Sequence, residues 1–217
     1  MNEQLDLLSQ QSSREPIHEG PLQRILGLTY VPTYISAHEQ QSILAAVDSS
    51  LWLLDLRRRV QHYGYRYDYS ARRVNTDMYL GALPAWAQAL SDRLYSDGYF
   101  AKVPDQAIVN EYQPGQGITP HIDCEPCFGP SVASISLGSS AVMHFDHRKI
   151  NEHVDILLEP GSLILLQGEA RYDWKHSIFA RKADRIAGGL VHRRRRVSVT
   201  FRTVILSEQD AMRAVSA

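Results

Sequence analysis

Apolar residues recur along this chain in two different rhythms. Ser36-Ala-His-Glu39 has the form of a capping box and opens a stretch with helical apolar spacing from Ile43 to Trp52. A second helix is predicted to begin near Pro84, with Trp86, Leu90 and Leu94 on one face. From Gln106 onward the rhythm shortens. QAIVNEYQ, SVASISL, AVMHFD, HVDILL, SLILLQ and VSVTFRTVIL read as strands, punctuated by Gly, Pro and Asp at the spacing of a sandwich or barrel. Helices followed by strands without a linker predict one α+β domain over residues 20–217, its helices buttressing a double-layered sheet. Residues 1–19, rich in Gln and Ser, are expected to form a flexible arm.

The last strand is the most regular. In Arg196-Val-Ser198-Val-Thr200-Phe-Arg202 every even position is polar and every odd one apolar. A period of two sends Arg196, Ser198, Thr200 and Arg202 to one face and Val197, Val199 and Phe201 to the other. Such a polar face ordinarily meets solvent, unless it binds something: a bidentate Arg is what a dicarboxylate requires at its far end.

Composition narrows the possibilities without deciding among them. The net charge of −1, from 23 Lys+Arg and 24 Asp+Glu, excludes a uniformly basic nucleic-acid binder but permits a local basic patch. No apolar run reaches membrane-spanning length and the N-terminus lacks a secretory pattern, so a cytoplasmic protein without membrane contact is expected. Two cysteines, Cys124 and Cys127, are too few for a disulfide scaffold and are expected to be incidental loop thiols. The basic residues are 19 Arg and only 4 Lys. Six of those Arg and one Asp fall in residues 57–73, interleaved with Tyr63, Tyr65, Tyr67 and Tyr69. Arginines that reach phosphates beside tyrosines that stack on bases suit an unpaired or flipped nucleotide.

His-x-Asp occurs three times, at His121/Asp123, His144/Asp146 and His153/Asp155. On a strand, residues i and i+2 share a face, so each pair could present two ligands together. Only His121/Asp123 follows a strand running into a Gly/Pro turn; the other two pairs are expected to be structural or exposed. Two His and one carboxylate are the facial triad of non-haem Fe(II) oxygenases. His176, after the strand SLILLQ and a short turn, could supply the third ligand, with His192, His62, His38 and His18 as further candidates.

The ordered set N-x-Y-x-P-G-x-G-x-x-x-H-x-D, W-x-H and R-x-S-x-T-F-R resembles the AlkB family of Fe(II)- and 2-oxoglutarate-dependent dioxygenases. Gln61-His-Tyr-Gly-Tyr65-Arg-Tyr67 resembles the family's substrate lid, here placed around residues 57–80. The stretches around Val132–Ser139 and Gly168–Ile178 are similar to the family branch that modifies the wobble uridine of tRNA. The resemblance implies a double-stranded β-helix, or jelly roll. It implies Fe(II) at His121, Asp123 and His176, and 2-oxoglutarate at Asn110, Tyr112, Arg196, Ser198 and Arg202. Arg58, Tyr65, Arg66, Tyr67 and Glu125 would meet the substrate. Ser198 departs from the pattern: the best-known DNA-repair members carry Asn there.

The activity so implied is oxidation of a C–H bond on a nucleic-acid base, with release of succinate and CO2. It would be either demethylation of N-alkylated DNA or RNA bases, as in DNA repair, or hydroxylation of a tRNA base, as in tRNA modification. The partner would be single-stranded or flipped nucleic acid, and the enzyme a monomer. An oxygenase acting on a protein side chain, or a metal-binding interaction module without turnover, are the alternatives.

Overall fold

A computed structural model describes residues 19–54, 57–186 and 189–206. The expected flexible arm, residues 1–18 of it, lies outside the described residues. In chain order the elements begin with α1 (Glu19–Gln23), β1 (Leu28–Val31), α2 (Ala37–Asp48), β2 (Val60–Tyr63) and α3 (Ala85–Ser96). Next come β3 (Gln106–Tyr112), β4 (Ile118–His121), β5 (Phe128–Gly138), β6 (Ala141–His147), β7 (His153–Leu158) and β8 (Leu163–Leu166). The chain continues with α4 (Gly168–Tyr172), β9 (Trp174–Ile178), β10 (Ala183–Ile186), β11 (Gly189–His192) and β12 (Arg196–Val204).

Six strands form a major sheet in the order β1-β8-β5-β12-β3-β2, and four form a minor sheet in the order β4-β9-β6-β7. β10 and β11 pair as a separate hairpin. Every pairing is antiparallel, as in a jelly roll, in which two antiparallel sheets pack face to face.

α2 begins where the capping box places it. Ser36 Oγ accepts from the Glu39 backbone N–H, and the Glu39 carboxylate accepts from the Ser36 N–H. It ends at Asp48, four residues short of Trp52, because the Ser49 side chain bonds back to Ala46 and the chain leaves the helix there. α3 follows Pro84 and buries Ala87, Leu90, Ser91 and Leu94, with Trp86 packed at the margin of the same core. Two short strands, β1 and β2, extend the major sheet at its opposite ends. With four residues each they are too brief for alternation to reveal.

Strand β12 explains the architecture. Its odd residues Val197, Val199 and Phe201 pack with Ile43, Val47, Leu90 and Leu94, so the helices cover one face of the major sheet. Its even residues point the other way, into the space between the sheets, and all are buried. This polar face is therefore internal, as ligand binding by Arg196, Ser198 and Arg202 requires. Further along, the same space is closed by Met143, Phe145, Ile156, Ile164 and Trp174 in a second apolar core. Each fully buried large apolar side chain contributes about 1.5–3 kcal/mol relative to exposure.

Cys124 and Cys127 are not free thiols. They are joined by a disulfide and packed with Val74 and Phe128.

Candidate metal and cosubstrate site

Between the two sheets lies a cavity of about 660 Å³, lined on one side by β12 and β3 and on the other by β4 and β9. His121 ends β4 and is the cross-strand partner of His176 on β9, with ring centroids 4.3 Å apart. Register is enforced at Gly117: a Cβ there would lie 2.1 Å from the Ile178 carbonyl oxygen, so only glycine lets the chain enter β4 this close to β9. Asp123 lies just beyond β4, with Oδ2 3.7 Å from His176 Nε2. One ligand-capable atom from each of His121, Asp123 and His176 lies within 4.8 Å of the others.

Protonation favours a cation among them. His121 Nδ1 lies 2.8 Å from the Thr119 carbonyl and donates its proton there, so Nε2 is the ring atom left to meet a metal. Burial, with the charge of His121, pushes His176 down to about 3, which leaves its imidazole neutral at any ordinary pH. Burial works against ionising Asp123, but Arg202, His176 and His121 outweigh it and hold the carboxyl far below the usual range. A neutral His176, a His121 whose Nδ1 proton is turned to Thr119, and an ionised Asp123, mutually close and largely dry, are a donor set for a hard or borderline divalent metal.

Deeper in the cavity Arg196 is buried. Its Nη2 donates to Ser136 Oγ at 2.8 Å, its guanidinium lies over the Tyr112 ring, and Nε and Nη1 have no hydrogen-bond partner. Orphaned buried guanidinium nitrogens are costly unless an anion satisfies them, so a carboxylate fits this end. Ser198 faces Asn110 across the β12–β3 ladder and Ser136 across the β12–β5 ladder, and it lines the same wall. Asn110 Oδ1 is already taken by Arg58 Nε at 2.8 Å. Arg202 sits nearer the triad, with Nη2 2.7 Å from Asp123 Oδ1.

Of the residues expected to meet substrate, Arg58, Tyr67 and Glu125 line the cavity, while Tyr65 and Arg66 do not. Tyr65 packs against Tyr79, and Arg66 lines a separate cavity with Asp68 and Asp77. His62, His38 and His192 stand apart from the triad; His18 lies outside the described residues. The basic cluster is also divided. Arg58 serves Asn110, and Arg59 makes two bonds to Glu111, whereas Arg72 is exposed at the cavity mouth with Tyr69.

Several residues had no signal in the sequence. Arg148 and Lys175 are exposed at the mouth, Arg148 bonded to Glu125 and to the Tyr172 carbonyl. Arg171 is buried and donates to the carbonyls of Asp123, Cys124 and Gly129, which holds the loop after β4 from behind. Only its place five residues before His176 hints at this.

Residues 53–202 match the family model described as the 2OG-Fe(II) oxygenase superfamily. The chain belongs to that superfamily, in its AlkB branch. It is 37% identical to the Arabidopsis thaliana protein named alkylated DNA repair protein ALKBH8 homolog, over 83% of this chain and 59% of that one. It is 35% identical to the mouse tRNA (carboxymethyluridine(34)-5-O)-methyltransferase ALKBH8, over 82% of this chain but only 30% of the mouse protein. An uncharacterized Acanthamoeba polyphaga mimivirus protein, L905, is 34% identical over 82% of this chain and 85% of its own length. Among solved structures, OsALKBH1 shares the fold, with a TM-score of 0.60 at 18% identity, covering 82% of this chain and 96% of that one. As a 2OG-Fe(II) oxygenase the chain is an iron- and 2-oxoglutarate-dependent dioxygenase. Among the described residues, no helix is long and apolar enough to cross a membrane.

Proposed function

We propose that this oxygenase oxidises a C–H bond on a base of single-stranded or flipped nucleic acid, with His121, Asp123 and His176 as its iron ligands. In this reading Arg196 pairs with the distal carboxylate of 2-oxoglutarate, and Ser198, Asn110 and Tyr112 shape the wall along its length. Iron and 2-oxoglutarate together supply the oxidising power from dioxygen, and the cosubstrate leaves as succinate and CO2. The chain's own residues bind and orient. Arg202 balances the charge of Asp123, Arg171 holds its backbone, and the apolar floor of Met143, Ile164 and Leu166 keeps water from the inner cavity.

The observation that carries the nucleic-acid reading is the rim. Exposed Arg72, Arg148 and Lys175 surround an opening to which Tyr69 and Tyr67 present ring surface, the two rings 5.0 Å apart. Cations at phosphate reach around aromatic faces are what an extruded base requires. The relatives' names, which mention DNA repair and a tRNA uridine, point the same way.

The test incubates the full chain with Fe(II), 2-oxoglutarate and either total tRNA or methylated single-stranded DNA. Succinate release is followed together with nucleoside mass spectrometry. Succinate matched by an altered nucleoside supports the proposal. Succinate matched instead by an oxidised peptide, with unchanged nucleosides, replaces it with a protein substrate.

A further inference from the structure

Two of the three His-x-Asp motifs have no part in the oxygenase site, yet they meet each other. The antiparallel register of β6 and β7 sets His144 opposite Asp155 and Asp146 opposite His153. Met143 and Phe145 of β6 belong to the core between the sheets. His144 and Asp146 therefore stand on the other face of the minor sheet, away from the oxygenase cavity. Asp155 Oδ1 is the focus: His144 Nδ1 lies 2.5 Å from it and His153 Nε2 2.7 Å. The other nitrogen of His153, Nδ1, lies 2.8 Å from Asp146 Oδ1. His144 is buried beneath Phe179, with rings stacked 3.7 Å apart, while His153, Asp146 and Asp155 remain about half exposed.

We propose that His144, His153 and Asp155 form a second metal site on the outer face of the minor sheet, suited to Zn(II). One ligand-capable atom from each already lies within 4.8 Å of the other two. Two imidazole nitrogens and one carboxylate oxygen, open on the solvent side for water, are a zinc donor set. Asp146 supplies the outer support. By accepting the Nδ1–H of His153 it leaves the Nε2 lone pair facing Asp155, the carboxylate–histidine arrangement that orients metal-binding imidazoles. In that tautomer Nε2 and Asp155 Oδ1 are two acceptors face to face, and only a cation between them makes the approach favourable. In the metal-free chain the cation is a proton, and zinc binding releases it.

One neighbour opposes the metal. Arg181 Nη2 lies 3.0 Å from His144 Nε2 and donates to it, which obliges His144 to carry its proton on Nδ1. Zinc at Nδ1 requires that proton to move to Nε2 and the guanidinium to turn away. The same guanidinium is anchored by its Nε bond to Asp184 Oδ1 at 2.7 Å, which adds to the cost of displacing it. Asp184 itself is also held by two bonds from Arg193. Arg181 thus competes with the metal, and removing it strengthens binding.

The experiment is equilibrium dialysis of the full chain against Zn(II), with bound zinc counted by atomic absorption. The triad in the oxygenase cavity takes one equivalent, so wild type is expected to bind a second, which persists in Asp123→Ala. His153→Gln removes that second equivalent, and Asp146→Asn weakens it by about tenfold. Arg181→Gln tightens it several-fold. His153 and Asp146 are half exposed on strand β7 and strand β6, so their variants keep the core intact, and circular dichroism verifies folding. A wild-type chain that binds no second equivalent overturns the proposal. So does a second equivalent indifferent to His153→Gln, or one weakened by Arg181→Gln.

Discussion

The guanidinium of Arg202 lies 2.7 Å from the carboxylate of Asp123, both side chains nearly dry, with the Arg202 charge centred 4.4 Å above the Phe128 ring. The proposed metal ligand is thus partnered by an arginine before any metal arrives. Removing Arg202 takes the largest compensating charge from a buried carboxylate, which costs up to about 3–5 kcal/mol. Arg202→Ala is expected to lower apo stability by that amount in urea titration. Mn(II), a stand-in cation for the triad, is expected to restore part of it, because the metal supplies the missing positive charge. Equal losses with and without Mn(II) would contradict this role.

Arg196 stands further in, with two nitrogens awaiting partners. Truncating one member of a buried charge pair costs about 2–5 kcal/mol. Arg196→Ala is therefore expected to raise KM for 2-oxoglutarate by at least about tenfold, since 1.4 kcal/mol is a factor of ten. Metal affinity, measured by dialysis without cosubstrate, is expected to stay within about twofold of wild type, a change of under half a kcal/mol. If both fall together, Arg196 supports the site as a whole and does not read the carboxylate.

The cavity mouth carries separable contacts. Arg72→Ala is expected to weaken oligonucleotide binding about equally for all sequences and to reduce the salt slope of log K by about one. Tyr69→Ala is expected to cost about 1–3 kcal/mol of stacking while the slope is unchanged. Fluorescence anisotropy across a salt series distinguishes the two.

The cap of α2 titrates. The Ser36 backbone N–H, and after it Arg93, hold the Glu39 carboxyl down to about 2 from its ordinary 4.5. A depressed carboxyl contributes stability that is complete above pH 4.5 and is lost as pH falls toward 2. Glu39→Gln is expected to remove that pH dependence. Ser36→Ala is expected to cost about 1 kcal/mol at neutral pH. Thermal melts between pH 2 and pH 6 report both.

Much of this architecture was legible because short-range rules govern it. The capping box at Ser36, the helix after Pro84 and the strict alternation of β12 each declare an element within a few residues. What alternation could not declare was where the polar face of β12 points. That depends on a second sheet, β4-β9-β6-β7, assembled from distant parts of the chain. The same distance hid Arg171, whose partners lie more than forty residues away. It also hid the meeting of His144 with Asp155, since an i, i+2 pattern reports a shared face but not the strand opposite. The two cysteines looked incidental because a C-x-x-C pair carries no local sign of whether its sulfurs are joined.

Arg171 leaves α4 five residues ahead of His176 and grips the backbone of the loop that carries Asp123. Loosening the Asp123 loop is therefore expected to loosen the segment that carries His176 as well. The loop and β9 are expected to open together as a single cooperative unit. Native-state hydrogen exchange is expected to give the Phe128 and Ile178 amides one common opening free energy. A hinge that admitted partial opening would let a wrong ion settle on two ligands. If the two segments do open together, discrimination among cations would be a matter of stiffness, set before any cation is encountered.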